Sequence, residues 1–284
     1  MDILIAGLRI ALLAYLSLTL VFYLFQKRFI YYPTREVQLR PGDIGLDFED
    51  LKLPTADGER LGAWLVPAAA ARTAPYVLFC HGNAGNLEHR LQHLRGFREI
   101  GVNVLMFDYR GYGTSTGRPD EEGTYADALA AWNYLTEERK VPHSAIALHG
   151  ESLGGGVAVW LAARVTPGAL VVESSFTSLV DLGRRVLPFL PVGWLCRHRY
   201  ESLGRIASLR CPVLIAHGPN DTMIPYEMAQ RLFQAAPAPK LFLNLEGNHN
   251  DGGLMANEAN RPLRVVYRGF LEQAGLWQAA ADSP

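Results

Sequence analysis

Gly150-Glu151-Ser152-Leu153-Gly154 stands between the apolar run Ala145-Ile-Ala-Leu148 and the small-residue run Gly155-Gly-Val-Ala-Val-Trp-Leu-Ala-Ala163. The first run has the length and composition of a buried strand, and the second reads as a closely packed helix, so the pentapeptide is the turn between them. A turn this sharp holds its central serine in a strained backbone conformation with the hydroxyl exposed. Glycine is needed on both sides, because a Cβ there would clash with the neighbouring strand or helix. Ser152 is therefore the candidate nucleophile.

Outward from this turn, apolar strand-like runs alternate with helical patterns. Strands are expected near Phe48–Leu53, Leu61–Val66, Tyr76–Cys80, Val102–Phe107, Ala145–Leu148, Leu170–Val172, Val213–Ala216 and Leu241–Leu245. Helices are expected near Leu87–Ile100, Tyr125–Glu138, Leu153–Arg164, Tyr226–Ala235 and Asn260–Gln273. Two initial strands followed by β-α alternation imply a mostly parallel eight-stranded sheet with helices on both faces. Ligands bind such sheets at the carboxyl ends of the strands. Three strands end there in the same dipeptide, His81-Gly82, His149-Gly150 and His217-Gly218, and a strand that merely turns at glycine would look the same. The connection between Glu173 and Cys211 is longer than a crossover needs. Its stretch Leu187-Pro-Phe-Leu-Pro-Val-Gly-Trp-Leu195 reads equally well as a cap that binds an acyl chain and as an ordinary core helix, and a cap is bounded at 174–210.

The chain has 284 residues, 49% hydrophobic and 19% charged, enough for one large domain with its own core. A net charge of −1 gives no electrostatic case for a nucleic-acid partner. Cys80, Cys196 and Cys211 are too few for a disulfide framework; Cys80 reads as a buried thiol, and a Cys196–Cys211 bridge is an open alternative. The pair His89 and His93 lacks the glutamate of a zinc-hydrolase motif and reads as exposed. Gly154-Gly-Gly156 is not a dinucleotide fingerprint, and no phosphate loop occurs.

Ile3 to Phe25 is apolar except for Arg9 and a few hydroxyl residues. As a helix it would extend about 35 Å, enough for a hydrocarbon core of about 30 Å. A cleaved signal peptide would need a small-x-small site, but the chain continues Gln26-Lys-Arg-Phe-Ile-Tyr-Tyr-Pro33. The expected organisation is an anchor at 1–28, a connector at 29–45 and a catalytic domain at 46–278. Lys27-Arg28 leans the catalytic domain toward the cytoplasmic side, and Arg9 acts the other way.

A serine hydroxyl needs a histidine to take its proton and a carboxylate to orient that histidine. Asp221, in His217-Gly-Pro-Asn-Asp-Thr-Met-Ile-Pro225, follows one strand, and His249, in Glu246-Gly-Asn-His-Asn-Asp-Gly-Gly253, follows the next. The order Ser152, Asp221, His249 is the one expected on such a sheet. Asn220 and Asp251 are weaker candidates for neighbouring support, and Glu246 and Asp251 are the alternative acids. The developing oxyanion needs donors. The backbone N–H of Leu153 is one and that of Asn83 the other, with Ala84 as fallback. Asp108-Tyr-Arg-Gly-Tyr-Gly113 reads as a structural turn beneath the site. Glu173 and Ser174 read equally as support for the nucleophile loop and as a satisfied strand end.

Taken together, seven segments resemble the Bem46/YfhR group of the α/β-hydrolase superfamily, which has ABHD-type animal relatives. They are Gln26–Pro33, His81-Gly-Asn-Ala-Gly-Asn86, Asp108–Gly113, Gly150–Gly154, Glu173-Ser-Ser-Phe-Thr-Ser178, His217–Asp221 and His249-Asn-Asp251. The resemblance implies an α/β-hydrolase fold and a membrane-attached serine hydrolase that needs no cofactor. The expected activity is hydrolysis of carboxylic esters, with lipid-like or acyl esters favoured because the anchor places the site near lipids. A thioesterase or a serine peptidase would use the same residues, and a non-catalytic binding protein would have lost one of them.

Overall fold

The apolar runs around Ser152 assemble into one eight-stranded sheet in a computed structural model that describes residues 1–281. In chain order the strands are β1 (Glu49–Pro54), β2 (Arg60–Val66), β3 (Tyr76–Cys80), β4 (Asn103–Phe107), β5 (Ile146–Glu151), β6 (Ala169–Glu173), β7 (Val213–His217) and β8 (Lys240–Asn244). Across the sheet they lie β8-β7-β6-β5-β3-β4-β2-β1. β3 to β8 run parallel, and β2 is antiparallel to both its neighbours. Each expected strand forms. The largest displacement is at the end of β5, which runs on to Glu151 and delivers the chain directly into the Ser152 turn.

The helices are α1 (Asp2–Ile30), α2 (Leu91–Ile100), α3 (Glu121–Asn133), α4 (Leu153–Ala162), α5 (Leu179–Val186), α6 (Val192–Leu195), α7 (Ser202–Ile206), α8 (Tyr226–Ala235), α9 (Gly253–Ala256), α10 (Arg261–Gln273) and α11 (Leu276–Ala281). The five expected helices of the sheet domain are α2, α3, α4, α8 and α10, and the apolar N-terminal helix forms as α1; the remaining helices are short. A parallel sheet covered on both faces needs strands that are apolar throughout. In β3, Leu78 and Cys80 enter the core shared with α3, α4 and α8, while Val77 and Phe79 enter the core shared with α2 and α10. No disulfide forms. Cys196 is a free thiol against the carbonyl of His198, which removes the Cys196–Cys211 bridge, and Cys80 is buried as expected.

The turn at Ser152 is built as its glycines predict. A Cβ on Gly150 would lie 2.2 Å from the carbonyl oxygen of Gly154, and one on Gly154 would lie 2.0 Å from that of Cys80 in β3. Ser152 takes φ 54° and ψ −117°, a left-handed conformation that costs a non-glycine residue about 1–3 kcal/mol. Two hydrogen bonds from the end of β6 hold it there: Ser152 N–H donates to the Glu173 carbonyl at 2.8 Å, and Ser175 Oγ donates to the Ser152 carbonyl at 2.8 Å.

Between β6 and β7 the chain leaves the sheet as α5, α6 and α7. Leu190 and Val192 are buried there, whereas Phe189 is 56% and Trp194 92% exposed, so the segment, termed the cap for its position, packs inward on one side and presents an apolar outer surface on the other. α1 stands against this cap. It contains no buried residue, has a mean hydropathy of 2.1 over its most apolar window, and kinks at Phe25. After it, Tyr32–Pro33 pairs with Ala84–Gly85, so the connector lies on the loop that follows β3.

Gly154→Ala should therefore disrupt the contact of α4 with β3. Overpacking of this kind costs about 1–3 kcal/mol, or roughly 2–5 °C in Tm for a chain of this size. Thermal unfolding of the purified variant in detergent checks it, and an unchanged Tm would mean that the approach is looser than described.

Candidate active site

β5, β7 and β8 end at one rim of the sheet, and their following loops carry Ser152, Asp221 and His249. Ser152 Oγ lies 3.0 Å from His249 Nε2, and His249 Nδ1 lies 2.7 Å from Asp221 Oδ2. With Nδ1 protonated and donating to the carboxylate, Nε2 is left to accept the serine hydroxyl proton. Asp221 is confined by several donors. Its Oδ1 accepts the backbone N–H groups of Met223 and Ile224, and His217 Nε2 stands 3.3 Å from Oδ2. Burial works to raise its pKa, but the bonds from His217, His249 and Ile224 overrule it and hold the carboxyl well below the usual range.

The loop after β3 passes beside the serine: a Cβ on Gly82 would lie 3.5 Å from Ser152 Cβ. The carbonyl of Asn83 accepts from Tyr32 N–H and Tyr112 Oη–H, and its side-chain amide donates to the Ile30 carbonyl. Asn83 is thereby fixed through its carbonyl and its side-chain amide nitrogen. Leu153, the first residue of α4, directs its N–H out of the helix start, where an anion is favoured. Ala84 belongs to the pairing with Tyr32.

Of the weaker candidates, Asp251 bonds Asn248 N–H at 2.7 Å within the His249 loop, Asn220 is exposed, and Glu246 contributes only backbone contacts. Asn248 was missed by sequence reasoning. Its Oδ1 accepts from Thr222 N–H, Thr222 Oγ1–H and His249 N–H, tying the Asp221 loop to the His249 loop. Glu173 supports the site from below. One carboxylate oxygen meets His149 Nε2 at 2.9 Å, and the other accepts Leu254 N–H at 2.9 Å, at the start of α9 just beyond the His249 loop. The acidic residue of the turn, Glu151, faces Arg90 Nε at 3.2 Å and His93 Nε2 at 3.7 Å. Burial works to raise Glu151, but the charges of Arg90 and then His93 bring it down to about 2.

His93 corrects an expectation. It is buried against Phe79, whereas His89 is exposed. The two do not share one α-helix, because residues 87–90 form a 3₁₀ turn before α2. All three strand-end histidines are buried: His81 packs on Tyr109, His149 on Phe79, and His217 donates to the Ile224 carbonyl. Among the described residues no cluster of histidine, cysteine or carboxylate side chains could hold a metal ion.

The comparisons agree with this geometry at the level of the fold. A family model for the alpha/beta hydrolase fold matches residues 75–180. An uncharacterized protein of Mycobacterium tuberculosis is 39% identical over 254 residues, covering 89% of this chain and 90% of its own. The protein bem46 of Schizosaccharomyces pombe is 32% identical over 257 residues, covering 84% and 86%. YfhR of Salmonella typhi, also uncharacterized, is 33% identical over 239 residues, covering 78% and 80%. Among solved structures, an esterase of Pyrococcus furiosus superposes with a TM-score of 0.66 at 21% identity, over 86% of this chain and 97% of its own.

Beneath the loop after β3, Asp108 is buried beside His81, with its Oδ1 accepting Leu87 N–H at 3.0 Å. Burial pushes the Asp108 carboxyl up to about 8. It pushes the His81 imidazole down to about 3, with nearby Arg90 acting in the same direction. A carboxyl raised in this way keeps a proton in the folded chain that the unfolded chain releases near pH 4. Folding therefore takes up a proton at Asp108 between about pH 4 and pH 8, and this group's contribution to stability falls as pH rises through that window, whereas the lowered His81 acts in the opposite direction up to its unfolded value of about 6.5. Asp108→Asn keeps the acceptor for Leu87 and has no proton to take up. Its Tm should match the wild type near pH 5 and exceed it increasingly toward pH 8, and a difference that does not grow with pH would refute the assignment.

Proposed function

This chain belongs to the Bem46- and YfhR-like α/β hydrolases, and from that premise we propose that it is a membrane-anchored serine hydrolase of carboxylic esters. The observation that carries the reading is the relay from Ser152 through His249 to Asp221, at 3.0 Å and 2.7 Å, with the serine on a strained turn at the strand ends. Ser152 Oγ attacks the acyl carbonyl while His249 Nε2 takes its proton. Asp221 keeps Nδ1 protonated and stabilises the imidazolium. The oxyanion is held by the N–H groups of Leu153 and Asn83, which are rigid before substrate arrives and so need no reorganisation. His249 then gives its proton to the departing alcohol. In the second half, His249 takes a proton from water, whose oxygen attacks the acyl-enzyme, and the acid leaves as Ser152 regains its proton.

The anchor reading rests on α1, whose 29 residues are long and apolar enough to cross a membrane and whose large side chains are exposed. Lys27 pairs with Asp120 at 2.9 Å, so one of the two basic residues that lean the catalytic domain toward the cytoplasm also docks the helix on that domain. Lipid-like esters are favoured because the active site then lies near the bilayer surface.

A fluorophosphonate probe should label the full-length protein and leave Ser152→Ala unlabelled; equal labelling of both would put the nucleophile elsewhere. His249→Ala and Asp221→Asn should each lower kcat on an ester by about 10³-fold or more, since the three residues act as a unit. Near-wild-type turnover in folded Asp221→Asn would exclude that residue as the orienting acid. For the anchor, the mature protein should retain residues 1–28 and resist extraction by alkaline carbonate. Intact-mass measurement reads this directly, and an N-terminus beyond Phe25 would make α1 a removed signal.

A further inference from the structure

α1 does more than leave the catalytic domain. Past its kink at Phe25, it is pinned to the cap and the sheet rim by polar contacts at successive positions. Gln26 donates to the Leu195 carbonyl and accepts from Arg197 N–H, both at 2.8 Å. Ile30 accepts from Asn83, and Tyr31 Oη meets Tyr200 Oη at 2.8 Å inside the core. Higher up, Tyr15 Oη donates to the Phe189 carbonyl at 3.0 Å. From Tyr15 to Gln26 is about 16 Å of helix, so the cap runs alongside α1 over that length. Yet the two do not close on each other. Between them lies a groove of about 350 Å³, walled on the α1 side by Phe22, Phe29 and Ile30 and on the cap side by Leu182, Val186 and Leu190. Its surface is almost wholly apolar. Water in such a groove would find few partners.

Both ends of the groove lead somewhere. At one end Tyr32 is a shared wall, facing the groove and also a cleft of about 510 Å³ lined by His249, Asn250, Arg90 and Glu151. At the other, the exposed apolar side chains of Val186, Phe189 and Trp194 continue onto the lipid-sized surface of α1. Exposed tryptophan beside a membrane-length helix suits the bilayer interface.

We infer that this groove is the acyl-chain subsite, and that the carboxyl end of α1 is one of its walls. The inference rests on the ester-hydrolase reading above and deepens it. The departing alcohol takes its proton from His249 Nε2, so it leaves on the side that His249 lines, into the polar cleft. The apolar groove adjoins that cleft at Tyr32, the wall they share, so the acyl part is assigned to the groove by its apolar lining and the polar alcohol to the cleft. The volume, at the lower end of ligand pockets, suits one chain. The substrate class is an ester of a single long fatty acyl chain with a polar alcohol, drawn from the bilayer along α1. The anchor is thus part of the binding site and not only a tether.

The test uses full-length protein in detergent, with p-nitrophenyl acetate and p-nitrophenyl laurate. Leu182→Trp fills the groove from the cap, and Phe22→Ala opens it from α1. Leu182→Trp should lower kcat/KM for the laurate by about tenfold or more, from the loss of several buried methylenes, and leave the acetate within about twofold. Phe22→Ala should spare the acetate and raise kcat/KM for p-nitrophenyl palmitate relative to that for the laurate. Variants that change both esters equally, or neither, would overturn the subsite. If no ester is turned over in a Ser152-dependent way, the hydrolase reading fails and the groove is judged by photocrosslinking with a diazirine-bearing lauric acid. Adducts within 20–30 or 179–196 that Leu182→Trp abolishes would support the groove, and adducts elsewhere would overturn it.

Discussion

Between the start of α4 and the end of β3 there is no room for a single Cβ, and the backbone of Gly154 lies directly on the carbonyl of Cys80. This contact forces the chain to reverse within one residue, and that residue is Ser152, in a conformation that side chains resist. The strain is held by Glu173 and Ser175 at the end of β6, so the sheet itself keeps the hydroxyl raised. The same approach brings the loop after β3 beside the serine, which is where donors for an oxyanion have to be. Geometry that would otherwise need several loops to agree follows from one close packing of helix on strand.

Shared acceptors then do the fine placement. Each loop at the rim is tied by a carboxylate or an amide oxygen that accepts more than one donor: Asp221 from Met223, Ile224 and its two histidines, Asn248 from Thr222 and His249, Glu173 from Leu254 and His149. The buried carboxylates of Asp221 and Glu173 are costly to leave unpaired, so the loops they hold cannot drift without losing several bonds together. Glu151 plays a similar part against Arg90, at the mouth of the cleft that His249 lines. The electrostatics of the rim thus favour one arrangement of the loops over the many that their lengths would allow.

The position of α1 follows from different chemistry. Its upper surface is apolar and exposed, while its last turn carries the polar groups that dock it. Tyr31, Tyr200 and Thr124 form a chain of buried hydroxyls joining the end of α1 to α3, and Lys27 adds an ion pair to Asp120 at the start of the same helix.

The strands of the sheet and the placement of three polar residues at its rim were legible in the sequence because each has a local signature: apolar runs of strand length, glycines flanking a serine, and an acid and a histidine just past successive strands. His93 departs from the expected exposure because a 3₁₀ turn separates it from His89 and the core claims it, whereas His89 is exposed as expected. Asn248, Ser175 and the pairing of Glu151 with Arg90 have no pattern along the chain, since their partners lie far away in sequence and meet only when the loops converge. The apolar stretch 187–195 was equally consistent with core and cap, because hydrophobicity along a chain does not say which face will be covered. Sequence alone determined which residues could react, through backbone sterics and the placement of polar groups at strand ends. Only the tertiary structure decided that α1 closes one wall of an apolar groove, because that space exists between two segments whose separation is set by hydrogen bonds neither can make alone.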